Sequence, residues 1–413
     1  MTIFSQLSLL FTLAVLISYV NYRFIKMQST IAVTLSATIL SLSLILASHL
    51  GWDGFDEKIT KALNQLDFHS LLINGMLSFL LFAGALTIDL SFFRKEKWEI
   101  LILSFFSTIA STFIVGSLVF YLFIFLHQPF SYINCLLFGA LISPTDPIAV
   151  LAVFKKIGAP KALDARLSGE SLFNDGIAVV LFLTIYSVAF GNHDATPGVV
   201  LGLFFKEAIG GIIYGAIIGF IASRLIKPID NSQLEILITL AVVTGGYSFA
   251  QAIGISGPLA MVVAGIFIGH YGQQFYMSAK TREHLEHFWE VIDGALNAIL
   301  FLLIGLEIIL IKGSWFEIIT GISAIVITLL ARTLSVGIPL SIMRCWRTYE
   351  PYATRIMIWG GLRGGLAIAL ALAVPAGPER NVILPMTYAV VLFSIFVQGL
   401  SVNKLVVKSK LKP

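Results

Sequence analysis

Leu141–Val180 reads LISPTDPIAVLAVFKKIGAPKALDARLSGESLFNDGIAVV: two apolar runs, each carrying charge that lipid penalises, joined by a basic loop. An ionised carboxylate at the middle of a bilayer costs about 3 kcal/mol even on insertion scales, so Asp146, Glu170 and Asp175 need protein partners or a function. Pro144 and Pro147 flank the first of them. Proline removes backbone hydrogen bonds, and in lipid a helix break survives only where the freed groups line a protein cavity. The stretch therefore predicts a broken helix beside an acidic helix, and together they suggest a site for a cation and a proton.

Composition sets the context for that stretch. The chain has 413 residues, of which 57% are hydrophobic and 12% charged, and its mean hydropathy is +0.92. A soluble domain carries about twice that charged fraction, so an all-α polytopic membrane protein is expected. The N-terminal run has no basic segment before it and no small-residue cleavage pattern after it, so it reads as a first span rather than a removable signal. Cys135 and Cys345 make no disulfide framework and are expected to be packing residues.

At about 20 apolar residues per span, thirteen spans are predicted. Seven cover residues 2–22, 29–50, 69–89, 98–127, 132–155, 164–190 and 197–226. Six more cover 234–253, 257–272, 284–309, 315–343, 353–375 and 380–403. Alternate loops place twenty of the 27 lysines and arginines on one side and four on the other (Lys58, Lys61, Lys312 and Arg380); Lys206, Arg332 and Arg363 lie in spans. By the positive-inside rule the N-terminus is outside and the C-terminus cytoplasmic, in a plasma (bacterial inner) membrane. The net charge of +4 thus reports topology and gives no support for nucleic-acid binding. Loops of about 20 residues or fewer leave no room for a soluble catalytic domain, and no cofactor is expected.

A second interruption lies in the twelfth span, IMIWGGLRGGLAIALALAVP, where paired glycines flank Arg363. Seven spans separate it from the first, so the two run in opposite directions, the signature of broken helices at corresponding places in two inverted halves. In the sixth span Glu170, Ser171, Asn174 and Asp175 form one polar stripe. A hard monovalent cation prefers carboxylate, hydroxyl and carbonyl oxygens; Asp146, Asp175, Ser171, Asn174 and a carbonyl freed near Thr145 would supply them. Two carboxylates in one low-dielectric site cannot both stay charged, so Asp146 and Asp175 are expected to hold a proton when the cation is absent. Cation and proton then compete for one site. Glu170 is not needed as a ligand and is paired with Arg332 as a structural ion pair. Arg363, in the break of its own helix, is expected to compensate the exposed carbonyl ends of the crossed half-helices.

Four segments, GALISPTDPIAVLAVF, GESLFNDGIAVVLF, LNAILFLLIGLEI and GGLRGGLAIALAL, resemble matching segments of the cation/proton antiporter family, in particular its bacterial NhaP-type branch related to animal sodium/proton exchangers. The likeness runs through nearly the whole chain. It implies two inverted repeats with crossed broken helices and an elevator-type homodimer. Residues 1–97 and 231–312 would form the dimerisation domain, 98–190 and 313–413 the moving core, and 191–230 a linker span. It also implies that Thr145, Asp146, Ser171, Asn174 and Asp175 bind the ion, and that Glu170 and Arg332 are the buried pair. The dipeptide Asn174-Asp175 resembles the branch that exchanges one cation for one proton, which implies electroneutral transport.

The resemblance departs at Ala83, where many relatives carry an acidic residue near the ion path; Asp89 is expected to be interfacial. The seven histidines show no metal-ligand pattern, although His284 and His287, one turn apart, are placed to respond to pH. Lys206 and Glu207 mark either an interfacial bend or a dimer contact. The expected cargo is sodium, with lithium alongside it, against protons; potassium is the alternative, and membrane lipid and a second copy are the expected partners. A cation channel would need a filter of symmetric repeats. An intramembrane enzyme would need an HExxH, Ser/His or paired-aspartate arrangement, and no HExxH occurs.

Overall fold

A computed structural model describes residues 3–49, 70–88, 95–191, 196–272, 277–310, 314–347, 349 and 352–410. The first helices are α1 (Ser5–Ile25), α2 (Ser29–Ala47), α3 (Leu71–Leu86) and α4 (Lys97–Phe125). The first broken span follows as α5 (Tyr132–Ile142) and α6 (Ile148–Ile157). Next come α7 (Lys161–Phe190), α8 (Gly198–Ile226), α9 (Ser232–Ala252), α10 (Gly257–His270) and α11 (Ala279–Leu306). The chain continues through α12 (Trp315–Met343), the half-helices α13 (Ala353–Trp359) and α14 (Gly365–Ala373), and α15 (Pro378–Lys408).

Among the described residues, nine helices are long and apolar enough to cross a membrane; α3, α5 and α10 are shorter apolar helices. Each of the thirteen expected spans overlaps one of these helices or a pair of half-helices, while length and composition alone establish nine. Asp89, Lys58, Lys61, Lys312, His69 and His193 lie outside the described residues.

The outer faces of the helices are apolar, unlike those of a soluble bundle, and buried polar residues face other helices. On α12, Ile318, Ile322, Val326, Leu330 and Leu334 are exposed, whereas Thr320, Thr328, Arg332 and Ser335 are buried. Where no water competes, polar residues gain most by facing other helices, and aliphatic ones lose nothing by facing lipid. Close packing relies on glycine. Gly211, Gly215 and Gly219 present one face of α8, and side chains there would collide with Ser256, which caps α10, and with Ala260 and Ala264 within it. The small-xxx-small spacing is legible in the sequence.

The packing falls into two groups. In one, α2 and α3 lie on α11, α3 on α10, and α8 on α10. In the other, α4 packs on α5 and α12, α12 on α15, α7 on α5, and α15 on α14 and α6. Helix α7 touches both, through α8 and α10 on one flank and α5 on the other.

On the basic face the second group is tied together by a charged cluster. Arg166 Nε donates to Glu96 Oε2 at 2.8 Å, and Arg347 pairs with both Glu96 and Glu99. The Arg166 guanidinium lies 4.8 Å from the Tyr349 ring centroid, and the Tyr349 hydroxyl donates to Glu99. Arg166, on the second turn of α7, is buried, because Glu96 and the ring of Tyr349 together replace its water. Its hydrogen bond with Glu99 holds the Arg347 guanidinium above its usual range, and burial pushes the Tyr349 phenol up to about 12. Neither changes charge near neutrality, so they act as a fixed clamp. His284 and His287 are exposed on the first turns of α11.

Candidate ion site at the crossed helix breaks

The two interrupted spans cross at their breaks. Ser143-Pro144-Thr145-Asp146-Pro147 separates α5 from α6, and Gly360–Gly364 separates α13 from α14. They touch through one antiparallel bridge, with the Asp146 N–H donating to the Leu362 carbonyl at 2.7 Å. A lone bridge suffices because each break is only a few residues long, and the helices on either side carry their own backbone bonds.

Half-helix ends carry partial charge and unpaired backbone groups. Arg363 donates through Nη1 to the carbonyls of Ser143 and Pro144, placing a cation at the C-terminal end of α5. Asp146 Oδ1 accepts from the Ile148 N–H at 2.9 Å, placing an anion at the N-terminal end of α6. Each residue thus compensates an end of the first broken span, although Arg363 belongs to the second.

The stripe on α7 closes over the same break. Asn174 Oδ1 accepts from the Thr145 N–H at 3.3 Å and Asn174 Nδ2 donates to Thr145 Oγ1 at 2.8 Å, while Ser171 Oγ donates to the Thr145 carbonyl. Ser171 and Asn174 therefore position the unwound backbone. Every hydroxyl and amide oxygen here still keeps a lone pair. Asp175 is half-buried, close enough to Asp146 and Arg363 to feel both charges.

Glu170, on the same helix, faces elsewhere. Both its oxygens accept from Arg332, Oε2 at 3.1 Å, and Arg332 Nη2 also donates to the Met357 carbonyl at 2.9 Å. The pair is buried, so two charges that lipid would exclude neutralise each other in a bidentate contact. Gly361 leaves room for the guanidinium, since a side chain there would overlap Arg332.

Helix α15 braces the second break, which the sequence reading did not identify. The Arg363 N–H donates to Ser394 Oγ at 2.8 Å and Ser394 donates to Gln398 at 2.8 Å; Gln398 Nε2 reaches the Trp359 carbonyl at 3.1 Å. The signal was present as Ser394, Gln398 and Ser401, polar residues at helical spacing in an otherwise apolar run. Also missed was the buried contact of the Tyr388 hydroxyl with Glu307. Lys206 and Glu207 lie against the turn between α9 and α10, where the Glu207 carbonyl accepts from the Ser256 N–H at 3.1 Å. Ala83 is buried in a cluster with Phe82 and Trp289.

Gly364 leaves room for the Asp146 side chain: a Cβ there would stand 2.7 Å from Asp146 Oδ2 and 2.8 Å from its Cβ. Gly364→Ala should therefore displace the carboxylate and lower cation-driven exchange by roughly 10- to 100-fold. Gly337→Ala, whose methyl would meet only Ile358 at 3.5 Å, is the control. Equal transport by the two variants in proteoliposomes would refute the steric argument.

A family model described as "Sodium/hydrogen exchanger, transmembrane" matches residues 9–408. The Na+/H+ antiporter NhaP of Pseudomonas aeruginosa is 44% identical over 398 residues, covering 95% of this chain and 94% of that protein. The Na+/H+ antiporter NhaH of Halobacillus dabanensis is 34% identical over 414 residues, covering 98% of each. Among solved structures, the sodium proton antiporter MjNhaP1 from Methanocaldococcus jannaschii at pH 8 superposes with a TM-score of 0.76 at 19% identity, covering 98% of each chain. The last likeness establishes a shared fold. With the crossed breaks and the near-complete sequence match, it follows that this multi-pass membrane protein belongs to the sodium/hydrogen exchanger family.

Proposed function

We propose that the chain is a secondary antiporter that exchanges a monovalent cation, sodium first and lithium alongside it, for protons, one for one. The observation that carries the reading is Asp146 at the crossing of two helix breaks within a membrane, with the α7 stripe that carries Asp175 bonded to the neighbouring Thr145 through Ser171 and Asn174. Two like charges in a low-dielectric site repel strongly unless a cation or a proton arrives. Thr145, Ser171 and Asn174 supply neutral oxygens around them and hold the break in shape. Sodium entering the site displaces the proton, and a proton returning displaces sodium. Exchange follows if the empty, doubly charged site does not cross.

Alternating access is assigned to an elevator movement of the second packing group, which carries both breaks, against the first, which forms the dimer contact in a homodimer. Arg363 and the Glu170–Arg332 pair travel with the core and keep its charges balanced. The basic face is cytoplasmic and the N-terminus outside, in a plasma membrane.

The test is proton movement in proteoliposomes loaded with a pH-sensitive dye, with sodium, lithium or potassium added in turn and the membrane potential imposed or clamped. Sodium and lithium should drive proton movement at a rate independent of potential. A response to potassium alone would reassign the cargo, a rate that follows the potential would remove the one-for-one stoichiometry, and no response to any cation would overturn the antiport reading.

A further inference from the structure

Glu307 caps the end of α11, and Tyr388 lies on α15, ten residues after its first. Both are buried, and the Tyr388 hydroxyl donates to Glu307 Oε2. The ion site uses neither of them. A carboxyl group among apolar helices is costly unless a donor serves it, so the bond fixes where the Tyr388 ring can stand.

Each partner is fastened to its own packing group. Ser41 on α2 donates to the carbonyls of Gly305 and Leu306 at 2.9 and 3.2 Å, and a side chain at Gly305 would meet the Thr34 carbonyl at 2.7 Å. The end of α11 that presents Glu307 is therefore pinned to α2. Tyr388 is fixed on the other side: α15 packs on α12 and α14, and a Cβ at Gly321 of α12 would stand 2.8 Å from that of Ala389. The bond thus joins the group built on α2, α3 and α11 to the group that carries both breaks. Elsewhere the two groups meet through carbon, as where Leu300 of α11 faces Gly365 of α14 and Ile31 of α2 faces Gly399 of α15. Apolar contacts have no direction and re-form after a slide. A hydrogen bond to a buried carboxyl group is made at one register and lost within about 1 Å, and leaving it unmade is expensive.

We propose that Glu307 and Tyr388 form a latch between the two packing groups, which holds the core in the observed position and opens on every transport cycle. The latch rests on the elevator reading above. Helix α11 starts on the basic face, with Lys280 and Arg282, and Glu307 is at its far end. A closed latch therefore holds the opposite side shut and leaves the ion site to open toward the basic face. It sets which side the site faces at rest; it takes no part in binding the ion.

Tyr388→Phe removes the hydroxyl and keeps the ring. Nitroxide labels at Leu46→Cys on α2 and Ile342→Cys on α12, exposed positions at opposite ends of the two groups, report the movement in a Cys135→Ser/Cys345→Ser background in nanodiscs. Double electron–electron resonance should give one dominant separation in the parent and a second in Tyr388→Phe, with the population ratio shifted about tenfold. Glu307→Gln, whose amide oxygen still accepts, should shift it less. Thr387→Val, which removes a bond confined to α15, should leave it unchanged. In proteoliposomes the half-saturating sodium concentration of Tyr388→Phe should rise on the basic side and fall on the other, because the resting population moves between the two; a merely looser protein would not show this. An unchanged separation in Tyr388→Phe overturns the latch. So does a fall in melting temperature with half-saturation unchanged on both sides, which would make the bond only structural. The separation is read without ion transport. A second population in Tyr388→Phe, in a protein that exchanges no cation, would uphold the latch and overturn the exchange reading, whereas wild-type exchange with a single separation in every variant would overturn the latch alone.

Discussion

Replacing Asp175 with asparagine should abolish cation-driven proton movement, reducing it at least about 100-fold to the level of empty vesicles, while the protein stays folded. The asparagine side chain has nearly the same shape but neither ionises nor carries the exchanged proton. The fold should tolerate the change well. Asp175 lies close to Asp146, and removing one of two like charges in a low-dielectric site relieves repulsion. The melting temperature in detergent should therefore stay level or rise, which separates loss of chemistry from loss of structure. Wild-type exchange by Asp175→Asn would remove this residue from the site, and exchange lost together with a large drop in melting temperature would make its role structural.

Arg332→Ala should produce the opposite pattern, with stability lost first and transport only as a consequence. Glu170 is 1% exposed and Arg332 5%, and stripping one partner from a buried pair leaves an uncompensated charge that costs about 3–5 kcal/mol. The substitution also removes the donor to the Met357 carbonyl, loosening the helix just before the second break. Glu170→Gln should be milder, because the amide oxygen still accepts from the guanidinium. The double change Glu170→Gln/Arg332→Gln should cost less than the two single losses combined, as neither charge is left alone. Thermal unfolding of purified protein followed by size-exclusion fluorescence measures all of these. An unchanged melting temperature in Arg332→Ala would overturn the structural assignment.

The two predictions draw on neighbouring residues of one helix with different partners. Glu170 and Asp175 lie five residues apart on α7, and the sequence placed them on one polar stripe. Which carboxylate meets a guanidinium and which meets another carboxylate depends on α12 and on the crossing of the two breaks. Ser171 and Asn174 make the same point. Their residue types suit ion ligands, but their hydrogen bonds go to Thr145, because an unwound backbone inside a membrane must find donors and acceptors nearby.

Sequence alone determined that this chain lives in a membrane, that two of its spans are interrupted, and that the charges worth attention are Asp146, Glu170, Asp175, Arg332 and Arg363. Those conclusions rest on the cost of placing charge and unpaired backbone in lipid, a cost readable residue by residue. The tertiary structure alone decided that the two breaks touch through Asp146 and Leu362, that Arg363 serves the carbonyl ends of the other broken span, and that Ser394 and Gln398 brace its own. Those pairings join positions up to 220 residues apart, and no local cost records a partner that distant. Which polar group meets which is settled only when the helices pack.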